Sequence, residues 1–500
     1  MSDKSGTSNS IRAIYEYLEI SAEKYPHKIA IIDETNSISY NKLLKNSKYV
    51  SNSLQKIINP GQRVSLLSEN SIDFVIIYFG ILMAGGIVHL IAPNSSEAQI
   101  LSQIQKVNPV IILCSETLKN KITGIKHEHI LISNLITNSI SSKVNHKIID
   151  DKFNEVTSII FTSGTMGTPK GVKIKHKNII FVINNIIKII GIKADDVEIN
   201  PLQLSHSFGL GCLHTIIAQG ATAIIFLNSI NLRAILDKII SNKATGFIGV
   251  PSTFQMMLDH RKEEFMEVGK NFRYLLTNSA PMPKDQIQEI LNIFPSTNFF
   301  TYYGLTEASR STFLLFNSDI TKIESVGKPA YDVEIKIVTN DENTNNESRI
   351  GEVLIKGPNV IDEYWRDTGG KYKIKDGWIK TGDLGFFDND GYLYLRGRKD
   401  DIINVSGEKV SPAEIELVIG QLDGIKDVGI IGMPDRVFGE IPVAYVVAKS
   451  TLKENEILYH CTKVLERYKI PQKIIFIDVL PRNEFGKIEK SVLREMYTKQ

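Results

Sequence analysis

Apolar positions recur along the chain with two periods, and the alternation between them predicts the architecture. Ile11, Ile14, Leu18 and Tyr25 share one face of a helix, and Leu43, Val50, Leu54 and Ile57 do so again after the strand-like run KIAIID. Arg63 to Ser68 (RVSLLS), Val110 to Cys114 (VIILC), Ala223 to Leu227 (AIIFL) and Gly246 to Val250 (GFIGV) are short β-rich apolar runs with helical segments between them. Such runs suit strands buried on both faces, so the pattern predicts an α/β fold of helix-covered sheets. Phe74 to Ala92 spans nineteen residues without Asp, Glu, Lys or Arg, close to the length that crosses a bilayer. Gly85 and Gly86 interrupt it, His89 lies in its second half and Pro93 closes it. It reads as a buried helix followed by a buried strand, and no integral membrane segment is expected.

The pattern changes between Val333 and Tyr394 to strands and turns, with DENTNNE (Asp341 to Glu347) and NDG (Asn389 to Gly391) as hairpin tips. A small β subdomain over about 333–395 is expected. After the charged run GRKDD comes KVSPAEIE, where Ser411 can cap a helix, Pro412 suits its first position and Glu414 completes a capping box. The remaining hundred residues alternate strands and helices, enough for a small α+β domain of their own.

Composition narrows the class. A chain of 500 residues exceeds one ordinary core. Hydrophobic residues at 42% and charged residues at 23% are ordinary globular values, and 58 basic against 56 acidic side chains leave +2, so neither disorder nor nucleic-acid binding is indicated. Cys114, Cys212 and Cys461 lie far apart with no CxxC spacing, which suggests neither a disulfide framework nor a zinc site and fits a reducing, cytoplasmic setting. The polar start MSDKSGTSNS lacks the apolar segment of a secretion signal and reads as a disordered N-terminus over 1–9.

Candidate chemistry begins at Thr162 to Val172, TSGTMGTPKGV, directly after the apolar strand Ser158 to Phe161. Its glycines let backbone approach an anion, and Ser163, Thr165, Thr168 and Lys170 supply hydroxyl and ammonium donors, as a polyphosphate requires. It is not the P-loop of the common NTPases, because Pro169 precedes Lys170 and strand-like VKIK follows. A Gly-rich hairpin is the plainer alternative.

This segment resembles the signature of the adenylate-forming superfamily of acyl-CoA synthetases, luciferases and nonribosomal adenylation domains. The resemblance continues, in the family's order, through PLQLSHSFGL (Pro201 to Leu210), YYGLTEA (Tyr302 to Ala308), DGWIKTGDLG (Asp376 to Gly385), GRKDDIINVSGEKVSPAEIE (Gly397 to Glu416) and PRNEFGK (Pro481 to Lys487). It implies a large AMP-binding domain of two helix-covered sheets and a β subdomain over 10–396, a hinge over 397–401 and a mobile lid domain over 402–500. It also implies ATP, Mg²⁺ and a thiol as cofactors. Thr162, Ser163, Gly164, Thr165, Gly167, Thr168 and Lys170 would hold phosphates, Tyr303 beside Gly304 would stack on adenine, and Ser279, Ala280 and Pro281 would form the wall beside it. Thr306 would meet the α-phosphate and Glu307 would hold Mg²⁺, a hard cation suited to a carboxylate with phosphate oxygens. Asp383 would accept from the ribose hydroxyls, with Arg398 near ribose or phosphate, Asp400 as pivot and Gly407 lining a pantetheine tunnel. Lys487 is the expected catalytic cation, bridging the attacking carboxylate and the α-phosphate while charge builds between them. Taken singly, each of these residues also has a structural reading: a surface lysine, a turn Asp, a strand-end Glu.

His206 resembles the histidine that gates the acyl pocket, and it is not expected to act as a base, since the acid is already ionised. Amino-acid-activating relatives carry an Asp shortly after that position; SFGLGCLHT has none, which disfavours an α-ammonium substrate. Phe208, Leu210 and Leu213, with Gly209 and Gly211 leaving space, predict an apolar pocket for a fatty or other hydrophobic acyl chain. Met166 and Asn278 to Pro281 depart from the family pattern; Ser279 in particular replaces a small wall residue and could narrow the channel. With thirteen residues after Lys487, the thiol is expected in trans, as CoA or as a phosphopantetheinyl carrier protein. The expected activity is therefore an ATP-dependent acyl-CoA synthetase acting on a small-molecule carboxylic acid. Its alternatives are a stand-alone adenylation enzyme loading a carrier and a non-catalytic nucleotide or acyl-ligand binder.

Overall fold

In a computed structural model of the chain, the residues described are 11–141, 155–162, 170–227, 231–339, 350–366, 374–406, 408–449, 452–483 and 487–499. The expected disordered start at 1–9 and the hairpin tip at 341–347 lie outside them. The chain forms two compact units. The first is Met1–Ile323 with Pro329–Glu334 and Lys356–Ile379; the second is Glu324–Lys328 with Ile335–Ile355 and Lys380–Gln500.

The first unit holds two helix-covered sheets. One has the strand order His129–Leu131, Ile111–Cys114, Arg63–Leu67, Ile87–Ile91, Val156–Thr162, Lys170–Lys175. It is parallel except for its last pair. The apolar run at Phe74 divides as its glycines suggest: Ser71 caps a buried helix Ile72–Met83, Gly85 turns at φ 77°, and Ile87–Ile91 is a fully buried strand. Among the described residues no helix is long and apolar enough to cross a membrane.

The other sheet runs through Ala308–Leu315, Asn298–Leu305, Tyr274–Thr277, Gly246–Gly249, Val197–Asn200, Thr222–Ile225, Ile29–Ile32 and Ser37–Ser39. Its middle is parallel, while Asn298–Leu305 with Ala308–Leu315 and Ile29–Ile32 with Ser37–Ser39 are antiparallel pairs. Parallel strands turn all their carboxyl ends to one edge, which is where open α/β sheets bind ligands. At the opposite, amino edge Asp196 precedes one strand and Arg273 another. They form a two-pronged ion pair of 2.8 and 2.5 Å, with the Thr245 hydroxyl donating to the same carboxylate at 2.8 Å.

In the second unit, Asp383 and Arg398 face each other across an antiparallel pair, Trp378–Phe387 with Leu393–Arg398. Beyond it lies the α+β part, with strand order Glu408–Val410, Ile403–Val405, Gly439–Ala448, Ile425–Asp435 and Lys473–Phe476 beside Gly439–Ala448. One face buries Ile403, Val410, Ile430 and Val446 with Ile415 of the helix Pro412–Gly420 and Ile457 and Cys461 of the helix Glu454–Thr462. The other buries Ile431, Val443 and Tyr445 with Leu493 of the helix Lys490–Thr498. The capping box expected at Ser411 does not form. Pro412 does open the helix, but the Ser411 hydroxyl donates to the Arg396 carbonyl at 2.7 Å, and Glu414 is drawn into an ion pair with Lys469 at 2.8 Å.

Candidate active site

YYGLTEA folds as a tight hairpin. Leu305 pairs with Ala308, so Thr306 and Glu307 are the two residues of its tip, both half-buried at the carboxyl edge of the sheet. The register shifts between Tyr303 and Leu305, and Gly304 allows it: a Cβ there would meet the Arg310 amide nitrogen at 2.5 Å and the Ala308 carbonyl at 2.6 Å. Tyr303 is buried, and its amide donates to the Thr312 hydroxyl at 3.3 Å.

The strands flanking the phosphate-loop candidate pair antiparallel up to Thr162 opposite Lys170; Ser163, Gly164, Thr165, Gly167 and Thr168 lie outside the described residues. Tyr364, which sequence reasoning passed over, joins the two strand pairs. It bridges to Val172, its hydroxyl donates to Glu307 Oε1 at 2.9 Å, and Lys170 Nζ lies 5.4 Å from its ring centroid. Two motifs more than a hundred residues apart thus meet on one phenol. The only sequence signal was an aromatic pair in the polar stretch DEYWRD. Glu307 Oε2 has no hydrogen bond among the described residues, which suits a carboxylate that shares a hard cation with phosphate oxygens.

Ser279, Ala280 and Pro281 follow the strand Tyr274–Thr277 at the same edge. Ser279 sits at φ 82°, a left-handed conformation that favours glycine, and so it bears backbone strain where the family pattern has a small wall residue.

His206 precedes the helix Ser207–Gln219 as a half-buried N-cap whose side chain does not cap it. Phe208, Leu210 and Leu213 are buried on that helix, and Phe208 packs edge-on against Tyr302 with centroids 5.4 Å apart. The space expected beside the glycines is filled. A Cβ on Gly209 would meet the Gln203 carbonyl at 2.7 Å, and one on Gly211 would meet Arg310 Nη1 at 2.6 Å. Arg310 is the second residue missed. A charge in the small and apolar strand ASRSTFLL was the signal available, because alternate strand positions share a face.

Around Arg310 several groups are shifted. Burial lifts the Glu198 carboxyl to about 7, against a 2.8 Å hydrogen bond from Tyr274, with Asp196 adding to the rise and Arg310 opposing it. Burial, then Glu198, pushes the Cys212 thiol up to about 12. Burial, then Arg310 and His176, holds His214 down to about 3.

In the second unit, Asp383 Oδ1 accepts from Arg398 Nη1 at 3.1 Å. Asp383 is buried, and Arg398 Nε is buried without a hydrogen-bond partner among the described residues. Asp400 is exposed in the single turn Lys399–Asp401, while Gly407 lies outside the described residues. Lys487 is exposed. Its amide donates to Asn483 Oδ1 at 3.0 Å and its carbonyl accepts from the Asn483 amide at 2.9 Å, closing the loop on which it stands.

The profile described as AMP-binding enzyme matches residues 18–365, and that described as AMP-binding enzyme C-terminal domain matches 414–487. The chain is 29% identical over 477 residues to 2-succinylbenzoate–CoA ligase of Oceanobacillus iheyensis, covering 93% of this chain and 96% of that one. It is 30% identical over 458 residues to the long-chain-fatty-acid–CoA ligase FadD13 of Mycobacterium tuberculosis, covering 88% and 89%. ATP-bound MatB from Rhodopseudomonas palustris matches with a TM-score of 0.89 at 27% identity, over 97% of this chain and 99% of that one.

Proposed function

The chain belongs to the AMP-binding enzyme family as an acid–thiol ligase of the acyl-CoA synthetase type, and from that premise we propose how its residues divide the work. ATP with Mg²⁺ and CoA are the co-substrates. A carboxylate oxygen attacks the α-phosphorus of ATP and pyrophosphate leaves; the sulfur of CoA then attacks the acyl carbonyl, and AMP leaves as the thioester forms. The carboxylate is ionised at neutral pH, so the first step needs positioning and charge stabilisation more than proton transfer.

The observation that carries this reading is the meeting of Lys170 and Glu307 on Tyr364. It supports a polyphosphate held between an ammonium and a carboxylate-bound Mg²⁺, with Thr162 and Thr306 at the ends of the two strand pairs and Tyr303 toward adenine. Asp383 is assigned to the ribose hydroxyls and Arg398 to ribose or phosphate. Lys487 is assigned to the charge that builds between two anions as they approach. The hinge over 397–401 with Asp400 as pivot, the lid over 402–500 and the pantetheine role of Gly407 belong to the same proposal. The relatives are CoA ligases, and this favours CoA over a carrier protein as acceptor. All three cysteines are free thiols, which supports a cytoplasmic setting. The buried Phe208, Leu210 and Leu213, gated by His206, favour an acid with a hydrophobic body, whether aromatic or fatty.

The test is product analysis over an acid panel with ATP, Mg²⁺ and CoA. One AMP per acyl-CoA is expected, with Glu307→Gln slower by a factor on the order of 10². Release of ADP, or AMP formation independent of acid, would refute the reading.

A further inference from the structure

Four Asp, Glu, Lys or Arg side chains are buried among the described residues: Asp196, Glu198, Arg310 and Asp383. Asp196 and Asp383 are each ion-paired to an arginine. Glu198 accepts from Tyr274 and can also take up a proton. Arg310 has neither recourse. A guanidinium keeps its charge at any pH at which a protein folds, and among the described residues no carboxylate lies within ion-pair distance of this one.

Its hydrogen bonds go to neutral acceptors. Nη1 donates to the Ser207 carbonyl at 3.3 Å and to Ser309 Oγ at 3.0 Å; Nη2 donates to the Phe208 carbonyl at 3.1 Å and to Cys212 Sγ at 3.7 Å. Nε is buried with no hydrogen-bond partner among the described residues, and the Tyr302 ring lies 4.8 Å away. A buried cation whose hydrogen bonds among the described residues all go to neutral acceptors, with the raised Glu198 carboxyl acting on it only from beyond ion-pair distance, strongly favours an incoming anion. Ser207 and Phe208 open the helix directly after His206, and Tyr302 precedes Tyr303. The guanidinium therefore lies beside the residues assigned above to the acid, among Phe208, Tyr302 and Cys212, a lining better suited to an acyl group than to nucleotide phosphates. The guanidinium also fills the room beside Gly211 on the same helix.

We propose that Arg310 receives a second carboxylate at the far end of the acyl group, so that the substrate is a dicarboxylic acid with a hydrophobic body, activated at one end only. This deepens the ligase reading and rests on it. A plain fatty acid would leave the guanidinium unanswered and bring a methyl group against it.

The experiment compares kcat/KM in ATP–pyrophosphate exchange for matched acids, each dicarboxylate against the monocarboxylate of equal length, aliphatic and aromatic. The wild-type chain, Arg310→Met and Arg310→Lys are all measured. The wild type is expected to prefer the dicarboxylate by at least about tenfold, Arg310→Met to reverse the preference, and Arg310→Lys to retain part of it, with the KM for ATP unchanged. Three results overturn the proposal: a wild-type preference for monocarboxylates, equal losses on both acids in Arg310→Met, or a raised KM for ATP with the acid preference intact. If Arg310→Met does not fold, the wild-type preference and Arg310→Lys decide. Exchange with other acids but with neither member of any pair removes this inference alone; no exchange with any acid removes the ligase reading beneath it.

Discussion

The large sheet carries an arginine at each edge. At the amino edge Arg273 grips Asp196 with two hydrogen bonds, keeps about a third of its side chain in water and needs nothing further. At the carboxyl edge Arg310 is 3% exposed, stands at φ 53° in the left-handed region and among the described residues hydrogen-bonds only neutral acceptors. The same side chain is thus used in two ways. The first pair is complete within the fold and serves stability, whereas the second is half a pair, left open at the edge where parallel sheets bind ligands. Unanswered charge is tolerated where a ligand supplies the answer.

Breaking the complete pair should give the largest effect. Asp196→Asn is expected to lower stability by about 3 kcal/mol in urea unfolding at pH 7, with acid preference unchanged. Burial alone would raise the Asp196 carboxyl, but Arg273, the Lys193 amide and Thr245 outweigh it and hold it below the usual range. The stabilisation is therefore present above the unfolded-state pKa and lost as pH falls through the folded one, so wild type and variant should converge in acid.

Completing the open pair should sharpen the contrast. Cys212→Asp would place a carboxylate where the thiol now meets Arg310 Nη2, and it is expected to cost the dicarboxylate preference about tenfold while leaving exchange with monocarboxylates. A further effect belongs to Glu198, whose carboxyl Asp196 raises and Arg310 lowers. Its folded pKa of about 7 is above the unfolded value, so the folded state holds the extra proton and stability falls as pH rises between those values. Glu198→Gln should flatten that slope between roughly pH 5 and 8, read as Tm against pH. The smallest change expected is at the wall. Ser279→Gly should relieve the left-handed strain and stabilise the chain by about 0.5 kcal/mol, since part of the gain is offset by the glycine's extra unfolded-state freedom.

These two edges were not equally legible. The alternation of helices and strands and the division of the Phe74 run followed directly from apolar periodicity, because burial on both faces leaves a continuous signature. The placement of Glu307 on a hairpin tip followed less directly, since Gly304 marks the bulge but not its partner. Tyr364 was silent: its role is a contact across nearly two hundred residues with Lys170, which no local pattern encodes. Arg310 was misjudged through its neighbours. Gly211 looks like empty space in sequence, and only the fold shows that a guanidinium occupies it. At Ser411 the local motif was present but a tertiary acceptor, the Arg396 carbonyl, took its hydroxyl.

The assignment on which all of this depends is adenylation assisted by Lys487, and it is tested most directly by acid-dependent exchange of pyrophosphate into ATP. The wild-type chain should catalyse exchange only when its acid is present, and Lys487→Ala should lose it by a factor on the order of 10² or more while still binding ATP. Exchange undiminished in Lys487→Ala would contradict the account.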